Sequence, residues 1–158
     1  MRRILLQLAL ITALISIGAH ADVVESPGYQ EFWIWAGLKH RDDLRHARTI
    51  YLHQGEIIPD NSGSAHLKAQ GGSQPAAHSA SIWIVYRVRS LDWGQDVITS
   101  IKRRYDDWRR FPGELKGVQI DFDARTNGLK SYAEFLSKLR GDLPASAQLS
   151  ATGLMDWA

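Results

Sequence analysis

From Ser81 to Thr152 the chain alternates short β-branched runs with amphipathic stretches, and that alternation narrows the fold more than any other feature. Ser81 to Arg89 has strand composition. Gln95 to Arg110 then brings Val97, Ile98, Ile101, Tyr105 and Trp108 round at helical spacing. Gly117 to Asp123 is a second strand. Gly128 to Arg140 sets Leu129, Tyr132, Ala133, Leu136 and Leu139 on one face, with Thr126 or Asn127 as N-cap and Gly141 and Pro144 closing it. Gln148 to Thr152 is a further strand. Upstream, Phe32 to Ala36 and Thr49 to His53 are strands on either side of a short polar helix, Leu38 to Arg48. Residues 59–80, rich in Gly, Ser, Ala and Gln and without periodicity, are expected to form a long flexible loop. Strand and helix in regular succession imply βαβ units and a parallel sheet.

Two parallel architectures compete, an open doubly wound sheet and a (β/α)8 barrel. In Gly117–Asp123 the side chains of Val118, Ile120 and Phe122 point one way and Gln119, Asp121 and Asp123 the other. A central strand of an open sheet is covered by helices on both faces and is apolar throughout. A barrel strand has one helix-facing side and one interior side, and the interior turns polar near its C-terminal end, where barrel active sites lie. The barrel is therefore expected. A full barrel takes about 250 residues, so about five β/α units of a truncated or partial barrel are expected over 22–158, as a single domain.

The first twenty-one residues have a different character. Met1-Arg2-Arg3, the apolar run Ile4 to Ile17 and Ala19-His20-Ala21 are the parts of a secretory signal peptide, in order, with cleavage after Ala21. The apolar run is shorter than the roughly 20 residues of a membrane span, so a periplasmic or secreted protein without a stable membrane anchor is expected. The chain has no cysteine, which excludes a disulfide framework and a lipid-modified Cys. Lys and Arg number 19 against 17 acids, and without Arg2 and Arg3 the charges balance, so nothing points to a nucleic acid partner.

Phe32-Trp33-Ile34-Trp35, Tyr51-Leu52-His53-Gln54-Gly55, Gly117 to Arg125 and Leu149 to Trp157, in that order, resemble the exported bacterial family catalogued as domain of unknown function 3142. The resemblance implies a barrel and brings no activity with it. More distantly, Gly117 to Asp123 is similar to the Asp-Gly-x-Asp-x-Asp-x-Glu signature of the chitinase-like (family eighteen) glycoside hydrolases. Asp121 matches the last Asp, Asp123 stands at the catalytic Glu, and Gln119 and Lys116 replace the middle and first Asp.

Asp121 and Asp123 are the candidate catalytic pair. Two residues apart on one strand, they share a face at roughly 6.5 to 7 Å. Glycosidic cleavage needs one carboxylic acid for the leaving oxygen and a second group at the anomeric carbon. The structural alternative is a carboxylate paired with Arg87 or Arg89 of the neighbouring strand, which favours its charged form and disqualifies it as an acid. Candidate substrate-binding residues are Gln119, His53, Gln54, Arg87 and Trp157, with Trp33, Trp35 and Trp83 as further aromatic faces for a carbohydrate. No metal-ligand spacing joins His53 to the two aspartates, and no cofactor is expected. Three functional classes stay open: a glycoside-hydrolase-like enzyme, a non-catalytic glycan-binding or envelope protein, and an inactive truncated product.

Overall fold

A computed structural model describes residues 28–35, 44, 46–73, 79–110 and 113–154. The expected signal peptide, most of the Leu38–Arg48 helix and Trp157 lie outside the described residues. Among the described residues six strands form one sheet: β1 (Glu31–Ile34), β2 (Thr49–Pro59), β3 (Ala65–Ala69), β4 (Ser81–Val88), β5 (Glu114–Asp121) and β6 (Gln148–Ala151). The order is β1-β2-β4-β5-β6, every neighbouring pair parallel. Helix α1 (Gln95–Trp108) connects β4 to β5, and α2 (Leu129–Asp142), preceded by the 3-10 turn Thr126–Gly128, connects β5 to β6. The protein is thus a mixed α/β fold with a mostly parallel sheet, and the sheet is not closed among the described residues.

The helices form where the periodicity places them. Val97, Ile98, Ile101, Tyr105 and Trp108, the full apolar stripe of α1, are all buried, and Asp96 in the first turn complements the helix dipole. On α2, Tyr132 and Leu139 are buried while Phe135 and Leu136 pack partly against the same cluster. Both helices share that cluster with Ile50, Leu52, Ile82, Ile84, Tyr86, Val118 and Ile120 of the sheet. As expected from the alternation in β5, Val118 and Ile120 are fully buried on the helix side and Phe122 packs against them.

Residues 59–80 differ from the expected loop. Ala65–Ala69 folds back as β3, antiparallel to the second half of β2, from Gly55↔Ala69 to Pro59↔Ala65. The turn between them is set by Asp60, whose carboxylate accepts from both the backbone N–H and the hydroxyl of Ser62. β2 is correspondingly longer than Thr49 to His53, because Gly55 to Pro59 pair with β3 on one side and Gly55 to Ile57 with β4 on the other.

The β2–β4 register shifts between His53 and Gly55, leaving Gln54 as the extra residue of a bulge. The shift moves Glu56 to the face that carries Tyr51 and His53, opposite Arg87, and returns Ile57 to the buried cluster. Residues 70–72 pass close against this bulge. Gly71 has φ +119°, and a Cβ there would lie 2.0 Å from the His53 carbonyl oxygen, so only glycine fits without displacement.

Candidate functional site

Away from the helices, the sheet presents three rows of side chains fixed by strand register. The first is aromatic: Trp33 pairs with Tyr51 and Tyr51 with Trp83. Their rings stack at 5.5 Å and 6.3 Å, inclined by 18° and 13°. Two residues further along each strand, Trp35 lies against His53 at 4.6 Å between rings, and His53 aligns with Val85 and Gln119. Two further still on β4 and β5, and three on β2 because of its bulge, Glu56 aligns with Arg87 and Arg87 with Asp121. The face thus runs from aromatic to charged toward the C-terminal ends of the parallel strands, because β1, β4 and β5 alternate in phase across it and the bulge of β2 carries Glu56 onto it.

The charged end is organised by one guanidinium. Arg87 Nη1–H donates to Asp121 Oδ2 at 2.7 Å and Nη2–H donates to Asp123 Oδ2 at 2.5 Å. The fixed fork of arginine suits this double contact, which a lysine would not reproduce. The Asp121 side chain is 9 % exposed and that of Asp123 53 %. Its other oxygen, Asp121 Oδ1, accepts from the Thr152 hydroxyl at 3.1 Å. The Arg87 guanidinium is held above its usual pKa, first by the hydrogen bond to Asp121. Arg89, the other sequence candidate for pairing, lies 3.8 Å from Glu56 instead.

His53 and Gln119 are buried in the middle row; among the described residues Oε1 of Gln119 has no hydrogen-bond partner, and the His53 imidazole has none beyond a backbone contact at Gly55. The imidazole pKa is lowered, chiefly by burial, against the opposing pull of Glu56, of a backbone hydrogen bond at Gly55 and of Asp121. Gln54 stands apart from this group. Its amide donates to the carbonyls of His53 and Gly72, both at 2.9 Å, so it clamps the bulge to residues 70–72. Among the described residues no three His, Asp or Glu side chains gather as a metal site, and no helix is long and apolar enough to cross a membrane.

Of the sequence candidates, Asp121, Asp123 and Arg87 therefore form one connected cluster, with His53 and Gln119 one row away on the same face and Gln54 outside it. Thr152 and Glu56 were not anticipated. Thr152 was legible by parity, two residues after Ser150, which pairs with Gln119. Glu56 was hidden by the bulge.

The model of the family described as Domain of unknown function (DUF3142) matches residues 81–158, from β4 onward. No curated protein and no solved structure matches the chain.

Proposed function

We propose, starting from a strand-end cluster that lies within this DUF3142 segment, that the chain is an exported, barrel-type protein whose polar sheet face binds a glycan without cleaving it. The observation that carries this reading is the Arg87 fork. Glycosidic cleavage needs two carboxyl groups in different roles, one donating a proton to the leaving oxygen and the other acting at the anomeric carbon. Arg87 donates to both carboxyl groups of the candidate pair, so neither is set apart as the acid. An arginine and ionised carboxylates are instead well suited to hydrogen-bond sugar hydroxyls, which both donate and accept. The stacked aromatic row adds apolar ring faces on the same side, and Trp33 and Trp35 are 39 % and 48 % exposed.

Two further elements belong to the proposal. A barrel is supported by the uninterrupted parallel order β1-β2-β4-β5-β6, which lacks the reversal of a doubly wound sheet. Export to the periplasm or medium, with cleavage after Ala21, is supported by the order of basic, apolar and small residues at the N-terminus. The test is to incubate the chain with oligosaccharides and measure both calorimetric binding and new reducing ends. Saturable binding without new reducing ends is expected. Reducing ends that disappear in an Asp123→Asn variant would establish the hydrolase instead.

A further inference from the structure

We propose that the cleft beyond the end of β5 takes an acidic sugar, a uronate, whose carboxylate is held by Arg125 and whose hydroxyls meet Asp123. The inference rests on the glycan-binding reading and names the ligand class. Its starting point is an open space of about 590 Å³ lined by Asp123, Arg125, Thr126, Asn127 and Leu154. The space adjoins the Arg87 cluster, because Asp123 belongs to both. It lies at the C-terminal ends of the parallel strands, where β5 passes into the 3-10 turn and the chain leaves β6 toward Leu154.

The groups in this cleft are accessible and uncommitted. The Asp123 side chain is 53 % exposed, and among the described residues only its Oδ2 is engaged, by Arg87. Thr126 and Asn127 are of residue types that cap helices, yet neither the 3-10 turn nor α2 has a side-chain cap. Their hydroxyl and amide, like the Arg125 guanidinium, have no hydrogen-bond partner among the described residues. An acceptor, two groups that both donate and accept, and a guanidinium thus surround one space without serving the fold. Leu154, 38 % exposed, gives the same space an apolar wall. Polar groups beside an apolar wall suit a sugar ring, which has hydroxyl edges and apolar faces.

Charge decides the kind of sugar. Arg87 is shared by Asp121 and Asp123, and Arg89 faces Glu56, whereas Arg125 forms no ion pair among the described residues. A guanidinium without a carboxylate of its own offers a fixed fork that meets a ligand carboxylate at two points, and such charge-assisted bonds are about twice as strong as neutral ones. A neutral sugar leaves that fork to water. Two carboxylates share Arg87, so Asp123 retains negative charge to accept from hydroxyls, and Arg125 balances it so that an acidic ring can approach. From the cleft the sheet face leads past Arg87 to β1 and its exposed indoles, three strand spacings or about 14 Å from β5.

The test uses the full chain with tetragalacturonate and tetramannuronate, the methyl ester of each, and cellotetraose and chitotetraose as neutral probes, read by calorimetry. A uronate is expected to bind at least about tenfold more tightly than its own ester, with the advantage shrinking as salt rises from about 0.05 to 0.5 M. Arg125→Gln should weaken uronate binding about tenfold and change ester binding by less than about threefold, because esterification and substitution remove the same contact. Arg125 is exposed and its guanidinium holds nothing among the described residues, so the variant should melt with the parent. Esters or neutral tetrasaccharides that bind as tightly as the uronates or more so, or uronate binding unchanged in Arg125→Gln, would overturn the acidic-sugar cleft and leave the glycan-binding reading standing. A marked fall in melting temperature in Arg125→Gln would show the guanidinium to be structural and would overturn the inference. Absence of any saccharide binding would sink the glycan-binding reading itself, and this cleft with it.

Discussion

Replacing Arg87 by methionine removes the guanidinium while keeping most of the aliphatic stem, and the structure gives the cost. Two contacts are lost, and they are unequal. The pair with Asp123 is between side chains 29 % and 53 % exposed, where water and salt screen it to about 0–1 kcal/mol. The pair with Asp121 involves a side chain only 9 % exposed, whose remaining partner is the Thr152 hydroxyl at 3.1 Å. Removing one member of a fully buried pair costs about 3–5 kcal/mol. Because Arg87 itself is partly solvated, roughly 2–3 kcal/mol is expected here. Urea unfolding followed by tryptophan fluorescence measures it. Asp121→Asn in the Arg87→Met background should recover part of the loss, since the stranded charge is then gone, so the double variant should be more stable than the sum of the single effects predicts. An Arg87→Met variant within about 0.5 kcal/mol of the parent, or strictly additive effects, would refute the claim that Asp121 is held as a buried charge by Arg87.

The lowered pKa of His53 carries a pH sign. Below its ordinary value of 6.5 the unfolded chain takes up a proton that the folded imidazole resists, so stability falls as pH drops through that value. The parent should therefore lose stability relative to His53→Phe between about pH 6.5 and 5, and parallel pH profiles would contradict this. Gly71→Ala places a Cβ 2.0 Å from the His53 carbonyl oxygen at φ +119°, and a loss of about 1–3 kcal/mol in urea unfolding is expected. An unchanged midpoint would show that residues 70–72 do not brace the bulge. Intact-mass measurement of exported protein should find a chain beginning at Asp22, and retention of Met1 would contradict the proposed processing.

What the sequence revealed and concealed follows the reach of each signal. The apolar stripe of α1 and the alternation in β5 are local and periodic. Both set side chains on the faces where Ile101 and Val118, on one side, and Gln119 and Asp121, on the other, are found. The bulge at Gln54 leaves no periodic trace, because one inserted residue simply exchanges the two faces beyond it, and Glu56 changed sides as a result. β3 was concealed for another reason. Ala65-His66-Leu67-Lys68-Ala69 lacks β-branched residues and is held by backbone pairing to the second half of β2 across the Asp60 turn, which composition does not encode. The choice between Arg87 and Arg89 as partner of Asp121 depended on the β4–β5 register, since both arginines have the same parity.

The most direct test of a glycan-binding sheet face is chemical-shift mapping of the isotope-labelled full chain during titration with the oligosaccharide that binds most tightly. The account predicts that the largest shifts fall on the indoles of Trp33 and Trp35, the Arg87 guanidinium and the backbone at Asp123 and Thr152, with α1 and α2 unaffected. Shifts centred on the helices, or none at saturating saccharide, would contradict it.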